Sequence, residues 1–483
     1  MKFPSSLLLL LGWHAFSEVA CQTDVPALRR MMTNMRLVVL VSPCTVGPAN
    51  RMLASEWLRV AFHDAGSHDA ANGVGGIDGS FLYEMNYEEN NGVFGSATMQ
   101  QYRTIQERTV SLADIIVLGA ITAIGSCGGP VIPFLGGRID AKGPVTPGFL
   151  PSPGQTLATH QAQFARMGFS NKEMISLVAC GHTIGGVHVA NNPTITSEAM
   201  AGFDTTRAVF DNQGAIEYRN GVLANPLAQP VNASNLATSS DSRIFSSDNN
   251  ATINSYAASQ DTFFNDCSTV FSKMFNELVP RGTSLTSIKP YPVSVGLVYS
   301  LRNEVFQIQI GNARVFDLAG EWSSYDIIYH NRDGSLGTNS ELLRVRTMRT
   351  LSNGAPIQIK DFSTVAPGID PITGISSVSV VLTLNDGTIY SSEDGAETVA
   401  IEDRIVIDLG IPFSCIYTSP EGDVGLNISI AVLGPFSADD KVYIDYELAS
   451  DLSRTTFGEP IRANFRAARP GTDYNYYGVQ VPV

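Results

Sequence analysis

The period of the apolar residues changes once along this 483-residue chain, and that change constrains the fold more than any motif does. Up to about residue 285, apolar side chains recur three and four apart. LASEWLRVAFHDA, SLADIIVLGAITAIGS, HQAQFARMG, KEMISLVACGHTIGG and FFNDCSTVFSKMFNELV therefore read as helices. Start signals agree: Ser111 stands three residues before Asp114, and Ser170-Asn171-Lys172-Glu173 reads as a cap with an acidic first turn. The stretches GGPVIPFLGG and GPVTPGFLPSPGQ separate the helices. Beyond Arg281-Gly282-Thr283 the period falls to two, in FQIQIGNARVF, SSVSVVLTL, DRIVIDL, LNISIAVLG and KVYIDYEL. Turn signals at Arg332-Asp333-Gly334 and Asn385-Asp386-Gly387 lie between these strands. The expectation is a mainly α domain over 22–287 and an all-β, sandwich-like domain over 288–483, with the boundary placed by period alone.

Composition narrows the function classes. The chain is 44% hydrophobic and 16% charged, and its formal net charge of −15 argues against nucleic acid or anionic membrane as a partner. Lys2, the apolar run at 7–11 and the small residues Val19-Ala20-Cys21 read as an export signal over 1–21, so a secreted, extracellular protein is expected. That run is shorter than the roughly 20 residues a bilayer-spanning helix needs, and no later stretch reaches that length. Export leads to an oxidising compartment, where cysteines pair. Loss of Cys21 with the signal leaves Cys44, Cys127, Cys180, Cys267 and Cys415, an odd set. One thiol is expected to be free, and Cys180, inside the apolar segment MISLVACGHTIGG, is the choice. Sequons at Asn232, Asn250 and Asn427 fit a glycosylated exported protein.

Two of the seven histidines stand in segments that can do chemistry. In RVAFHDAG, Arg59 and His63 are four apart, so a helix stacks them on one face, while Asp64 turns away. A neutral imidazole beside a permanent guanidinium can take a proton and share a developing negative charge; it can equally be a structural histidine. In ACGHTIGG, His182 ends an apolar helix between the small neighbours Gly181 and Thr183, a setting that suits an iron ligand. Such a ligand needs an acceptor on its other ring nitrogen, and a carboxylate further along can serve. Asp248 in RIFSSDNNAT is chosen among several.

Together the two segments resemble the plant and fungal haem peroxidase superfamily, most closely its secreted fungal branch, over roughly residues 40 to 280. The resemblance implies Arg59 and His63 as the peroxide-activating pair, with Phe62 as the ring beneath them and Asn90 of NNGV holding His63. It implies haem b held by His182 as axial iron ligand, with Asp248 as that histidine's partner. SLADIIVLGAITAIGSCGG and GGRIDA match structural segments of the family. Two calcium ions carry over as well. One is expected on Asp64, Gly76, Asp78 and Ser80, the other on Thr183, Asp204, Thr206, Val209 and Asp211, oxygen donors that suit a hard cation. A Cys44–Cys127 bridge is implied, and Cys267–Cys415 is the pairing expected for the remaining bridge.

The activity so implied is reduction of hydrogen peroxide and one-electron oxidation of small, phenolic-type donors. Departures from the family narrow the donor. The positions of the manganese site of some relatives read Met52, Glu56 and His188, with one acid only. Leu177 stands where ligninolytic relatives carry a surface tryptophan, and Phe203 where some intracellular relatives carry a radical-forming one. Trp57 and Trp322 are the tryptophans left after signal removal.

The β half carries no motif that names a family. Its Tyr474-Asn475-Tyr476-Tyr477 cluster reads either as a platform stacking on sugars of a wall polymer or as a surface or β-edge cluster. Two rival functions are a non-catalytic extracellular binding or adhesion protein with a degenerate peroxidase domain, and a metallohydrolase using His63, Asp64 and His68. Joint presence of Arg59, His63, Asn90, His182 and Asp248 speaks against the first. A guanidinium beside a divalent metal speaks against the second.

Overall fold

A computed structural model describes residues 24–33, 44–90, 92–105, 109–222, 224–230, 238–289, 291, 293–302, 305–316, 322–336, 349–350, 357–365, 372–391, 398–401, 403–408, 414–418, 424–434, 441–444, 447–451, 454–457, 461–468 and 474–482. The expected export signal and the Asn232 sequon lie outside them. Described residues up to Lys289 form one compact unit and those from Tyr291 onward a second.

The first unit is helical. Helix Leu53–Ala65 buries Ala54, Trp57, Leu58, Ala61 and Ala65, the face set by spacings of three and four. It packs on helix Leu112–Ser126, which starts where Ser111 Oγ accepts the Asp114 amide at 3.1 Å. Close approach of the two helices depends on Gly119, because a Cβ there would lie 1.8 Å from Trp57 Cε3. Helix Leu157–Met167 ends at Gly168, whose φ of +97° provides the left-handed stop. Helix Asn171–Gly181 begins with a reciprocal capping box between Ser170 and Glu173 and stops at His182. The short helix Ser240–Phe245 and the helices Ala251–Ala258 and Gln260–Asn276 complete the part that surrounds His182.

A buried ion pair anchors this core. Arg138 and Asp114 are both fully buried, with Arg138 Nη1 2.8 Å from Asp114 Oδ1. Arg138 also donates to the carbonyls of Leu135 and Phe275, while Asp114 accepts the amides of Gly137 and Arg138. Every strong bond of the pair is internal, so removing one partner strands a charge. Arg138→Met is expected to lose about 3–5 kcal/mol of stability. Urea unfolding checks this, and a loss within a few tenths of a kcal/mol would sink the account.

The described residues of the second unit form strands and no helix, as the period-two pattern requires. Val293–Arg302 and Val305–Phe316 pair as a hairpin, and Ile357–Val365 adds beside the latter. Val424–Leu433 lies between Tyr474–Pro482 and Ile405–Asp408, and Cys415–Thr418 pairs with it as well. A separate sheet is built on Ser377–Leu384, flanked by Trp322–His330 and Thr398–Ala400. The Asn385-Asp386-Gly387 turn joins Ser377–Leu384 to Ile389–Tyr390, with Gly387 at φ +87°.

The tyrosine cluster is strand packing, not a sugar platform. Tyr474, Tyr476 and Tyr477 lie in the strand Tyr474–Pro482 and are 2–6% exposed. Tyr477 packs with Ile430 and Val479, and the Tyr474 hydroxyl donates to the Asp403 carbonyl at 2.9 Å. A ring already covered on both faces has no surface left for a sugar. Among the described residues, no helix is long and apolar enough to cross a membrane.

Candidate active site

Helix Leu53–Ala65 presents Arg59 and His63 one turn apart, and the geometry defines the state of both. Arg59 Nε donates to His63 Nε2 at 3.2 Å, and His63 Nδ1 lies 2.6 Å from the side-chain oxygen of Asn90. The Asn90 amide nitrogen donates to the Glu84 carbonyl at 3.0 Å, so its oxygen is the atom turned to the histidine. An amide oxygen only accepts; His63 Nδ1 therefore carries the proton and Nε2 offers its lone pair. Burial, and next the charge of Arg59, push the His63 pKa down to about 3, against the raising effect of the Asn90 bond. His63 is 8% exposed, while Arg59 keeps exposed surface, its guanidinium lying against Phe94 and His63. Desolvation lowers the Arg59 pKa to about 10, which leaves it cationic at neutral pH, and Glu56 opposes the drop.

Two aromatic rings frame the pair. Phe94 lies 5.1 Å from the His63 ring and 4.3 Å beneath the Arg59 guanidinium. Phe62, the expected ring, is 6.2 Å from His63. Phe94 is missing from the sequence reading; its only signal is its place one turn after Asn90, in NNGVFGS.

His182 follows the last residue of helix Asn171–Gly181, and its Nδ1 lies 2.7 Å from Asp241 Oδ2. Asn225 donates to the same oxygen at 2.8 Å and Ser240 Oγ to the other at 3.2 Å. Burial alone would raise the Asp241 carboxyl, but His182, Asn225 and Ser240 together hold it below the usual range. The Asp241 carboxylate oxygen only accepts, so the His182 Nδ1–H is the donor of this bond. Phe203 stacks on the imidazole, with ring centres 4.1 Å apart and planes 8° apart.

Three expectations need correction here. Asp248 is not the partner of His182. It caps helix Ala251–Ala258 instead, accepting the Thr252 amide at 3.0 Å and the Thr252 hydroxyl at 2.6 Å. Ser-Ser-Asp occurs twice, at 239–241 and 246–248, and only the first lies under the histidine. Cys180 is not a free thiol, because it is bridged to Cys267. That bond also excludes Cys267–Cys415. Cys44–Cys127 is present as expected.

The Cys180–Cys267 bond ties the last turn before His182 to helix Gln260–Asn276, closing a loop between residues 87 apart. Both cysteines are 0% exposed. Replacing the pair by serines is expected to cost about 2–5 kcal/mol in thermal or urea unfolding. An unchanged midpoint would contradict a stabilising bridge.

The residues expected to hold calcium are gathered in two places. In the first, Asp64 accepts the amides of Asp78, Gly79 and Phe81 at 2.9–3.1 Å, and Asp78 accepts the Ser80 amide at 3.1 Å. Gly76, at φ +106°, donates its amide to Ser67 Oγ. In the second, Thr206 Oγ1 donates to Asp204 at 3.3 Å and Asp211 at 3.0 Å, the Val209 amide donates to the Thr206 carbonyl, and Thr183 Oγ1 donates to the Asp211 carbonyl. Glu217, which the sequence reading missed, joins this group by accepting the Thr205 amide and hydroxyl. Among the described residues, no three His, Cys, Asp or Glu side chains converge as a preformed metal cluster. The hydrolase set does not assemble either, since His63 turns to Asn90, Asp64 to backbone amides and His68 to the Gly75 carbonyl.

At Glu56, Arg51 closes both carboxylate oxygens, with Nε–Oε1 at 2.8 Å and a closer contact from Nη2 to Oε2. Met52 is buried, and His188 feels the charges of Glu56, Arg59 and Arg51. The single acid of this group is thus already neutralised.

Comparison with known proteins places the helical unit in a family. A family model described as Peroxidase matches residues 41–259, the stretch that contains both histidines and Asp241. The mitochondrial cytochrome c peroxidase of Yarrowia lipolytica is 30% identical over 248 residues, covering 48% of this chain and 71% of that protein. The peroxisomal L-ascorbate peroxidase 5 of Arabidopsis thaliana is 35% identical over 142 residues, covering 29% and 50%. A WSC domain-containing protein of Arthroderma benhamiae is 37% identical over 318 residues, 62% of this chain, and the match spans 43% of that relative's length.

Proposed function

We propose that this chain, which belongs to the haem peroxidase superfamily, is a secreted peroxidase that reduces hydrogen peroxide at the expense of small one-electron donors. The observation that carries the reading is the pairing of a neutral, Asn90-oriented His63 beside Arg59 with a carboxylate-backed His182. The donor set fits haem: His182 Nδ1 is taken by Asp241, leaving Nε2 for a metal, and both His182 and Arg59 keep accessible surface. Haem, when bound, would supply an iron able to exchange single electrons with peroxide and donor. The protein's own residues do the rest. His63 Nε2 accepts a proton from peroxide and returns it to the leaving oxygen. Arg59 swings its donors from His63 to the negative charge that develops there. Asn90 keeps the Nδ1 proton in place, so only Nε2 can act as base. Asp241 holds the His182 Nδ1 proton and makes Nε2 a stronger electron donor.

Calcium fits the second acidic group. Asp204 Oδ2 and Glu217 Oε2 are buried without hydrogen-bond partners, and burial, then Asp211 and Glu217, push Asp204 up to about 7. A divalent cation would relieve this repulsion. Chelation of calcium is expected to cost about 2–3 kcal/mol for a site held near hundredfold saturation. The thermal midpoint before and after chelator reads it. A midpoint indifferent to chelator would remove calcium from the account.

The test of the function is the absorption spectrum of haem-loaded protein before and after hydrogen peroxide, repeated with His182→Ala and His63→Leu. A histidine-ligated ferric band is expected, shifting fast with peroxide, slowly in His63→Leu, and absent in His182→Ala. Failure to take up haem, or haem inert to peroxide, would favour an extracellular binding protein instead.

A further inference from the structure

One buried phenol in the helical unit is wired unlike the others. Tyr256 is 0% exposed; its hydroxyl donates to Asp266 Oδ2 at 2.9 Å and lies 2.5 Å from Ser176 Oγ. Lys172 Nζ is 2.9 Å from the same Asp266 oxygen. The Lys172 and Asp266 side chains are 62% and 26% exposed, so the carboxylate joins a buried phenol to solvent. On the other side, the Tyr256 ring meets Phe263 edge-on at 5.4 Å, and Phe263 lines the same cavity as His182 and Phe203. Ser176 belongs to the helix that ends at His182. The peroxide-activating chemistry proposed above uses neither Tyr256 nor Ser176, Lys172 or Asp266.

Losing one electron makes a phenol a strong acid, so oxidation of a buried tyrosine needs a base already in hydrogen-bond contact. Tyr102, the other buried phenol among the described residues of the helical unit, lacks one. The Tyr102 hydroxyl, 2% exposed at the residue level, has no partner, and Tyr474 donates to a backbone carbonyl, a very weak base. Tyr256 donates to a carboxylate. Burial, with Asp266 adding to it, holds the Tyr256 proton far above the usual phenol range, so proton and electron must leave together.

We propose that Tyr256 is a redox-active tyrosine that stores one oxidising equivalent, with Asp266 as its proton acceptor. In the step, the Tyr256 O–H bond breaks. Its proton passes to Asp266 Oδ2 and one electron passes to haem that hydrogen peroxide has oxidised. The product is a neutral tyrosyl radical whose oxygen accepts the Ser176 hydroxyl. A one-electron donor later restores the phenol, and the proton returns from Asp266. This rests on the haem peroxidase reading.

The test is electron paramagnetic resonance of the full-length, haem-loaded protein, freeze-quenched after hydrogen peroxide with no donor present. A tyrosyl signal is expected, narrowed when the tyrosines are ring-deuterated. It is lost in Tyr256→Phe and in Asp266→Asn, while the optical spectrum and its first change with peroxide stay as in the unsubstituted protein. Asp266→Asn carries the test by itself should Tyr256→Phe not fold. Haem that reacts with peroxide but yields no tyrosyl signal overturns the proposal and leaves the peroxidase reading standing. So does a signal that survives either substitution. A protein that takes up no haem overturns both.

Discussion

His63→Leu is expected to slow the reaction with hydrogen peroxide by about 10²–10⁴-fold, the contribution of a positioned general base. Leucine keeps the volume and the helix but removes the lone pair that Nε2 directs at Arg59. Stopped-flow absorption with excess peroxide measures the rate, and haem retention should stay unchanged. The unsubstituted protein has a related acid limb. Burial and Arg59 hold His63 at about 3, so the base stays neutral through the ordinary pH range and its rate falls only as pH drops toward that value. The same shift sets a stability trend. Between about pH 6.5 and 3 an unfolded chain binds a proton that folded His63 refuses, so this contribution is complete above the upper value and fades as pH falls. A wild-type rate in His63→Leu, or a midpoint near 6.5 in the rate profile, would remove His63 as the base.

Asp241→Ala is expected to weaken haem retention or activity by about 10–100-fold, the usual loss when a ligand's hydrogen-bond partner is removed. Asp248→Ala should leave both unchanged and cost about 0.5–2 kcal/mol of stability through the lost cap. The contrast is sharp because the two acids sit in identical Ser-Ser-Asp triplets. Asp241 reaches His182 at 2.7 Å, whereas Asp248 reaches only Thr252. Haem dissociation rates and the reduction potential report the first effect, and thermal unfolding the second. With the carboxylate gone, the ferric potential should rise, since a less electron-rich imidazole favours the reduced iron. Equal haem retention in the two variants would show that neither carboxylate supports the ligand.

Much of the site was legible because its signals are local. Arg59 and His63 are one helical turn apart, so the sequence places them on one face without any tertiary knowledge. The caps at Ser111 and Ser170 are short-range hydrogen bonds, and both form as the spacing predicts. The change of period near residue 285 likewise separates helices from strands through neighbouring side chains alone.

The sequence by itself thus determined the helical and β halves, the Arg59–His63 pair on one helix face and His182 at the end of another helix. Only the tertiary structure decided which acid backs His182, which cysteine pairs with Cys267, and that Phe94 and Glu217 belong to their sites. The physical reason is distance along the chain. His182 and Asp241 are 59 residues apart, and Cys180 and Cys267 are 87 apart. Their meeting depends on how helices pack, which no local pattern encodes. Asp241 and Asp248 differ by seven residues, about two helical turns, and packing placed the first turn beside the histidine and used the second as a cap.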